Sequence, residues 1–522
     1  MLNLTGSQES FSKQLPKNII SNIAYFSINI VIGLLLVPYF IDTLGVASYG
    51  LIPLATSMTN YINLVIQSFN YSISRYLTID LQKKDYEKAN ITFNTALFGT
   101  LSIILLMIPI VLLISYYAPL FFSIPANQKL DTILLFFGII SAFLVRMWGS
   151  NFGVTLFAYN RLDLQNIVNL VNLIVQVGCI IIFFSELSPK LSYIGASYLI
   201  AAIVSFLTTY IFSKRTSPYL KVNPHYIRRS HLKKLSKTAG WLTTDQIGTL
   251  LLFQLDLIIV NKLFGTVAGG EYSIVLTWNI LIRAISGMLA GFLTPLIFTY
   301  YAKEMYDEII VVSKSSVKFM GLIMALPIGV ICGFSPLILS FWVGSEYVKL
   351  SPLMWILLIH LAANMSLLPL FPINVAYNKV RIPAIATLIL GIVNLLLAIL
   401  LSSITELGYY GVAVAGAIVL TFRHFFFVPY YATKLLKVSK STYLNSMITV
   451  LLSTVSVAGI SNVVYNLIDV WSLESFLLCC GLICVIYIQM IWKICLNQSE
   501  RRKIEMIIPL SFQGLCKYFV KT

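Results

Sequence analysis

Long apolar runs recur along the whole chain and are separated by short polar segments. Each run matches the ~20 residues that an α-helix needs to cross the hydrocarbon core of a bilayer. Membrane β-strands would give alternating segments of about 10 residues, and the sequence has no such series. The pattern predicts fourteen membrane-spanning helices, near residues 18–41, 47–74, 91–117, 132–158, 165–185, 191–212, 240–264, 272–301, 312–335, 350–375, 383–404, 410–433, 443–465 and 471–493.

Composition supports an all-α integral membrane protein. Of the 522 residues, 58% are hydrophobic and 11% are charged, against about 25% charged in a soluble domain. These values exclude a soluble globular protein, a disordered protein and a nucleic-acid binder. None of the seven cysteines forms a CxxC pair or a Cys/His cluster, so we expect neither a structural disulfide nor a metal site.

The distribution of lysine and arginine predicts the orientation in the membrane. With a cytoplasmic N-terminus, 29 of the 36 basic residues lie in cytoplasmic segments, four lie at outward ends and three lie inside spans. Basic residues favour the cytoplasmic side, so we expect a multi-pass protein of the inner (cytoplasmic) membrane with both termini in the cytoplasm. This bias explains most of the +16 net charge and predicts contact with anionic lipids.

The chain repeats itself after about 220 residues. AYNR at 158–161 recurs as AYNK at 376–379, and Gly45 recurs as Gly265. Six spans separate the members of each pair, so the two repeats have the same orientation. We therefore expect two pseudo-symmetric six-helix lobes around a central cavity, followed by two C-terminal helices.

The repeat sets the predicted domain boundaries. They are an N-lobe at 1–212, a basic cytoplasmic linker at 213–238, a C-lobe at 239–436, accessory spans 13 and 14 at 437–495, and a cytoplasmic tail at 496–522.

Polar side chains form stripes along several predicted spans. Span two carries Thr56, Asn60, Asn63, Gln67, Asn70 and Ser74 at spacings of three and four, which is one face of a helix. Asn279 lies in span eight and Asn364 in span ten, where Asn364 corresponds to Arg146 in the repeat. Such residues either join helices by hydrogen bonds or line a water-filled cavity. The six aligned residues of span two favour the cavity.

Charged residues inside the spans need compensation. An arginine at the centre of a membrane helix costs roughly 2.5–3.5 kcal/mol, and Arg146 and Arg283 lie well inside their spans. They either pair with Asp256 or Asp245 or face a polar cavity that receives an anion. Arg423 lies nearer the cytoplasmic end, so we expect it to reach the interface, aided by His424. Three arginines against two aspartates favour an anionic substrate group, and Arg75 at the end of span two is a further candidate.

Motifs for nucleotide hydrolysis and for catalysis are missing from the sequence. There is no GxxxxGK[ST], HExxH or GxSxG, so we expect neither an enzyme nor a bound cofactor. Energy would come from an ion or substrate gradient, and Asp256 or Asp245 would carry H⁺ or Na⁺.

Three segments resemble one known family. The segments PYFIDTLGVASYGL, QLDLIIVNKLFGTVAGGEYS and LILSFWVGSEYVKLSPLMWIL are similar to those of the polysaccharide-export branch of the multidrug/oligosaccharidyl-lipid/polysaccharide flippase superfamily. The resemblance covers the chain in order. It implies a flippase that moves an undecaprenyl-pyrophosphate-linked oligosaccharide, the repeat unit of an O-antigen, other lipopolysaccharide or capsule, to the outer leaflet by alternating access.

The resemblance also assigns roles to the polar residues. Arg283, Arg146 and Arg75 would hold the pyrophosphate. The glycan would contact Asn60, Asn63, Gln67, Asn70, Asn279 and Asn364. Glycan polymerase and chain-length proteins would be partners. Two alternatives stay open, which are a cation-coupled multidrug exporter of the same superfamily and a membrane enzyme that processes glycans.

Overall fold

A computed structural model describes residues 4–501 apart from 83–84, 123, 125, 229–239, 292, 469–471, 497 and 499. Within this part of the chain, side chains are described except at residues 4–13, 15–16, 19, 61–72, 74–76, 78–79, 82, 126, 240–243, 295, 299 and 302.

The first half of the described chain consists of long helices joined by short turns. They are α1 (Leu4–Leu44), α2 (Val46–Gln82), α3 (Tyr86–Phe121), α4 (Lys129–Ala158), α5 (Leu162–Glu186), α6 (Leu191–Thr216), α7 (Gly240–Phe253) and α8 (Asp256–Gly291). Helix α8 contains a sharp turn at Gly265, where φ is 84° and ψ is 178°.

The second half contains shorter helical pieces as well as long ones. They are α9 (Thr294–Ala302), α10 (Tyr306–Gly333), α11 (Ser335–Trp342), α12 (Ser351–Leu358), α13 (Leu361–Ser366), α14 (Phe371–Ala376), α15 (Arg381–Ile404), α16 (Tyr410–Phe422), α17 (Val428–Leu436), α18 (Leu444–Leu467) and α19 (Leu473–Met490). A π-helical turn, Arg423–Phe427, joins α16 to α17.

The described residues contain twelve helical stretches that are long and apolar enough to cross a membrane. One of them, Thr244–Phe298, covers both the seventh and the eighth predicted span. Helix α2, which carries the polar stripe, is not among the twelve. Every predicted span falls on a helix, so the predicted all-α membrane architecture is confirmed.

The repeated motifs have repeated backbone conformations. Asn160 and Asn378 both have left-handed φ angles, 55° and 51°. Each follows a helix, and the two turns close with equivalent backbone hydrogen bonds. Arg161 N donates to Leu156 O in the first turn and Lys379 N donates to Asn374 O in the second, both at 2.8 Å. Gly45 and Gly265 likewise share φ near 80°, a conformation that glycine adopts without steric cost. The two halves therefore turn at equivalent places.

The chain divides into two compact units. The first comprises Met1–Ile274 and Arg381–Val412, and the second comprises Val275–Val380 and Ala413–Thr522. The predicted division into two six-helix lobes, a linker and two accessory spans stays a prediction.

The first unit is held together by close helix packing. Helices α4 and α6 meet where a Cβ atom on Gly138 would collide with the backbone of Gly195. Its buried apolar cluster includes Leu77, Phe93 and Phe152 from three different helices. Small residues at such crossings let backbones approach, which is how membrane helices gain van der Waals contact.

Part of the predicted linker is fixed to the first unit. Asn90 donates to the Tyr219 carbonyl (3.1 Å) and accepts from Lys221 N (2.8 Å). Asn94 makes the same two-way contact with Lys221 O and Asn223 N, both at 2.8 Å. The Tyr86 and Tyr219 rings stack with centroids 4.4 Å apart. Residues 219–223 are thus held along α3 by side-chain hydrogen bonds and by the stacked rings.

The second unit has α10 and α18 at its centre. A Cβ atom on Gly329 would lie 2.7 Å from the Val457 side chain, so the two helices need glycine there to approach. The hydroxyls of Ser313 and Tyr443 are 2.9 Å apart and both are buried. The first accessory span is therefore bonded to the unit as well as packed against it.

Candidate functional site

The first unit contains a polar pocket between α4, α5 and α6. Its volume is about 320 Å³. Its polar lining consists of Arg146, Ser150, Gln165, Asn169, Ser205 and Thr209. Phe143, Met147, Val168 and Phe206 supply the apolar wall, and Gly149 and Gly153 complete it.

Arg146 is the only charged residue in the described lining of this pocket. It lies twelve residues before the end of α4 at Ala158, or about 18 Å along the helix axis. Its side chain is exposed. Among the residues that the structure describes, no carboxylate forms a salt bridge with it. A charge this far inside a span is tolerated when it faces water or a ligand, and the polar lining of the pocket is compatible with that alternative.

Two glycines on α4 leave room for the pocket side chains of Phe206 and Gln165. A Cβ atom on Gly149 would lie 3.1 Å from Phe206 Cδ2, and one on Gly153 would lie 2.9 Å from Gln165 Oε1. Phe206 is fixed in turn by Trp148, whose ring is parallel to it at 5.2 Å. The opposite face of α4 forms an apolar groove of about 230 Å³ with α3.

The polar stripe of α2 is described only at its beginning. Asn60 donates a hydrogen bond to Gln254 Oε1, which follows α7, at 3.0 Å. Asp245 is half-buried on α7. The side chains of Asn63, Gln67, Asn70 and Arg75 lie outside the described residues, so their predicted roles stay predictions.

The second unit brings together five polar side chains that are far apart in sequence. They are Arg283, His360, Asn364, Arg423 and His424. Asn364 donates to His360 Nδ1 (2.8 Å) and contacts Thr421 Oγ1 (3.3 Å). Arg283 is close enough for its charge to act on both imidazoles, and Arg423 acts on His424. We call these five residues the basic cluster.

Arg423 does not reach the interface, so that expectation was wrong. Its side chain is only 7% exposed and its guanidinium lies 5.3 Å from the centroid of the Phe371 ring. The π-helical turn Arg423–Phe427 rotates the side chains relative to an α-helix, and His424 meets the edge of the same ring at 6.2 Å. Such turns often occur at functional sites.

Some polar atoms of the basic cluster are buried without a hydrogen bond in the described structure, and His424 Nε2 and Asn364 Oδ1 are among them. Leaving a buried polar group unsatisfied costs about 1–3 kcal/mol. Water or a ligand in the cluster would satisfy both atoms.

Asn279 and Asp256, two further site residues predicted from the sequence, form hydrogen bonds within the protein. Asn279 is buried and its amide donates to the Leu357 carbonyl at 2.8 Å. Asp256 is buried and accepts a hydrogen bond from the Tyr272 hydroxyl at 3.2 Å. The hydrogen bond of Asn279 is of the kind that joins helices, the alternative that the sequence left open.

A second buried carboxyl was missed by the sequence reading. Glu271 is 8% exposed and accepts a hydrogen bond from Tyr409 at 3.0 Å. Burial, the adjacent Tyr410 and the Glu271 carboxylate raise the pKa of Tyr409 well above its usual range, so this hydroxyl stays a donor. Only its place beside Tyr272 in a long apolar stretch could have drawn attention to Glu271.

The comparisons with known proteins establish the family. The family described as "Polysaccharide biosynthesis protein" matches residues 15–301. The chain belongs to this family. A relative in Bacillus subtilis (strain 168), named "Uncharacterized membrane protein EpsK", is 26% identical over 431 residues, which cover 83% of this chain and 85% of the relative. The resemblance seen in the sequence is thereby confirmed.

Solved structures show the same fold. The inward closed conformation of the lipid II flippase MurJ superposes with a TM-score of 0.61 at 17% identity, covering 91% of this chain and 99% of that chain. An inward-facing multidrug resistance MATE family transporter gives 0.59 at 16% identity, covering 79% and 95%. This member of the polysaccharide biosynthesis family is therefore a multi-pass membrane protein with the fold of these transporters.

Proposed function

We propose that the protein is a flippase that moves an undecaprenyl-pyrophosphate-linked oligosaccharide repeat unit of an O-antigen or capsular polysaccharide from the cytoplasmic to the outer leaflet. The observation that supports it most is the basic cluster of the second unit. Within a membrane protein of the polysaccharide biosynthesis family, the charges of two arginines act on the imidazoles of His360 and His424. His360 is in turn hydrogen-bonded to the buried amide of Asn364. The two guanidinium groups supply two positive charges, which suit the two negative charges of a pyrophosphate that is esterified at both ends.

In this proposal Arg283 is the principal pyrophosphate ligand. A guanidinium binds phosphate oxygens with two parallel hydrogen bonds. Arg423 is fixed by the Phe371 ring, and Asn364 offers its unpartnered carbonyl oxygen to a sugar hydroxyl. Arg146, Arg75 and the polar stripe of α2 would contact other parts of the headgroup.

The physical task is to keep a glycan with many hydroxyls out of hydrocarbon. Each unsatisfied polar group there costs several kcal/mol. Alternating access solves this, because the headgroup stays in a hydrated cavity while the polyprenyl chain remains in lipid. A buried carboxyl such as Asp256 would carry the coupling H⁺ or Na⁺, with Asp245 as a second candidate.

The experiment that tests the proposal is the sidedness of the lipid-linked intermediate. Cells that lack the gene, with and without a plasmid copy, are probed for polyprenyl-linked oligosaccharide on each leaflet. We expect cytoplasmic accumulation and loss of surface glycan, both restored by the plasmid. Unchanged sidedness, in cells with no second flippase, contradicts the proposal.

A cation-coupled drug exporter is the second candidate. It is favoured by the buried Asp256 carboxyl, which accepts from Tyr272, because cation carriers place acids in the membrane. Drug sensitivity of the deletion strain, with normal glycan sidedness, would favour this candidate over the flippase.

A further inference from the structure

The polar pocket of the first unit differs in kind from a pyrophosphate site. Among the described residues that line it there is one guanidinium, that of Arg146, and no carboxylate. One guanidinium matches one carboxylate in charge and in its two-pronged geometry. The pyrophosphate of a lipid-linked glycan is esterified at both ends and carries two negative charges, which one cation does not balance.

The rest of the polar lining suits sugar hydroxyls. The side-chain amides of Gln165 and Asn169 line the pocket, and each offers both donors and an acceptor. The Thr209 hydroxyl donates to the Ser205 carbonyl at 2.8 Å and keeps its lone pairs for a ligand. These groups can replace the water around a ring that carries hydroxyls.

The wall and the volume limit the ligand to one ring. The Phe206 ring, held parallel to Trp148, gives a flat apolar surface for the C–H face of a sugar. A cavity of about 320 Å³ lies at the small end of the range for ligand sites, roughly 300–1,000 Å³. It has room for one sugar and not for a whole repeat unit.

We propose that this pocket is a subsite for one acidic sugar of the transported glycan, with Arg146 paired to its carboxylate. The assignment rests on the flippase function proposed above and replaces the pyrophosphate role that the sequence gave to Arg146. The subsite makes the protein selective for repeat units that contain a uronic acid or a similar monoanionic sugar.

The test measures binding of small probes to the purified full-length protein in detergent at low salt. The probes are methyl glucuronide, methyl glucoside and inorganic pyrophosphate, followed by equilibrium dialysis. We expect the glucuronide to bind at least about tenfold more tightly than the glucoside, since a charge-assisted bidentate contact is the main difference. Equal affinity, or no binding of either sugar, overturns the proposal.

Variants separate the effect of the Arg146 charge on binding from the effect of the rest of the pocket. Arg146→Gln should abolish the preference for glucuronide and leave pyrophosphate binding unchanged, whereas Arg146→Lys should keep part of the preference. Asn169→Leu should weaken both sugars and keep their ratio. Arg215→Gln removes another exposed arginine, at the end of α6, and serves as the matched control with wild-type binding. A preference that survives Arg146→Gln, or pyrophosphate binding that depends on Arg146, contradicts the assignment.

The subsite and the flippase function fail in different ways. If the sidedness experiment succeeds and the probes show no preference, the subsite is wrong and the flippase stands. If the probes behave as expected and sidedness is unchanged, the protein binds acidic sugars without flipping this lipid.

Discussion

The two halves of the chain carry different chemistry at one repeated position. Arg146 on α4 and Asn364 on α13 are 218 residues apart, and both precede the repeated turn with a left-handed asparagine. Arg146 is exposed in an open pocket, whereas Asn364 is fully buried and bonded to His360. In the second unit, the charged members of the basic cluster are Arg283 and Arg423.

This difference shows that the repeat preserves the backbone turns and not the polar side chains at equivalent positions. The backbone angles at Asn160 and Asn378 agree within a few degrees, because they depend on local hydrogen bonds. The side chains fourteen residues earlier, Arg146 and Asn364, are free to diverge. The divergence gives the first unit a pocket with one described guanidinium and the second unit a cluster with two, those of Arg283 and Arg423.

Removing the charge of the basic cluster should have the largest effect. We expect Arg283→Ala to abolish transport, at least about a hundredfold, since charged hydrogen bonds are worth roughly 1.5–3 kcal/mol each. Arg283→Lys should retain part of the activity, because it keeps the charge and loses the two-pronged geometry. The measurement is restoration of surface glycan at equal expression. Full activity of the alanine variant removes Arg283 from the mechanism.

Exchanging the side chains of Arg146 and Asn364 tests the comparison between these two positions directly. Asn364→Arg places another guanidinium in a fully buried site beside His360 and should destabilise the protein by more than about 4 kcal/mol. Arg146→Asn changes an exposed residue and should change stability by less than about 1 kcal/mol. Thermal denaturation of both variants in detergent measures this. Similar melting shifts would show that the two positions are equally constrained.

The contact between Arg423 and Phe371 sharpens the description of the cluster. Phe371→Leu removes the aromatic face beneath the guanidinium, 5.3 Å away, and should cost about 2 kcal/mol through lost cation–π attraction and packing. Phe426→Leu is the control, because Phe426 belongs to the same turn and is 64% exposed. Equal shifts in melting temperature would mean that the ring contributes only apolar surface.

The smallest effect concerns the repeated turns. Asn378→Ala should cost about 1 kcal/mol, since alanine resists a left-handed conformation. Asn160→Ala should cost about twice as much, because Asn160 also accepts a hydrogen bond from Asn18 at 3.1 Å. The glycine variants at both positions should lose less than the alanine variants. The measurement is the melting temperature of each variant. If Asn378→Ala lost more stability than Asn160→Ala, the bond to Asn18 would contribute nothing.

Some of the site was visible in the sequence and some was not. The repeat paired Arg146 with Asn364. Gln165 and Asn169, which line the pocket, lie four residues apart in the fifth predicted span, and this spacing puts them on one helix face. Burial of Arg423 could not be predicted, because the π-helical turn shifts its side chain off the α-helical face. Ser205 and Thr209 lie in an ordinary apolar helix, and only packing against α4 and α5 brings them to Arg146.

The sequence by itself determined the class of the protein, its helices and the places where its two halves turn. These properties are local, since apolar run length is set by bilayer thickness and turn conformation by a few adjacent residues. The tertiary structure decided which polar groups meet, whether in the pocket around Arg146 or around His360. Helical periodicity reports that a residue faces away from lipid, and only packing between distant segments determines what it faces instead.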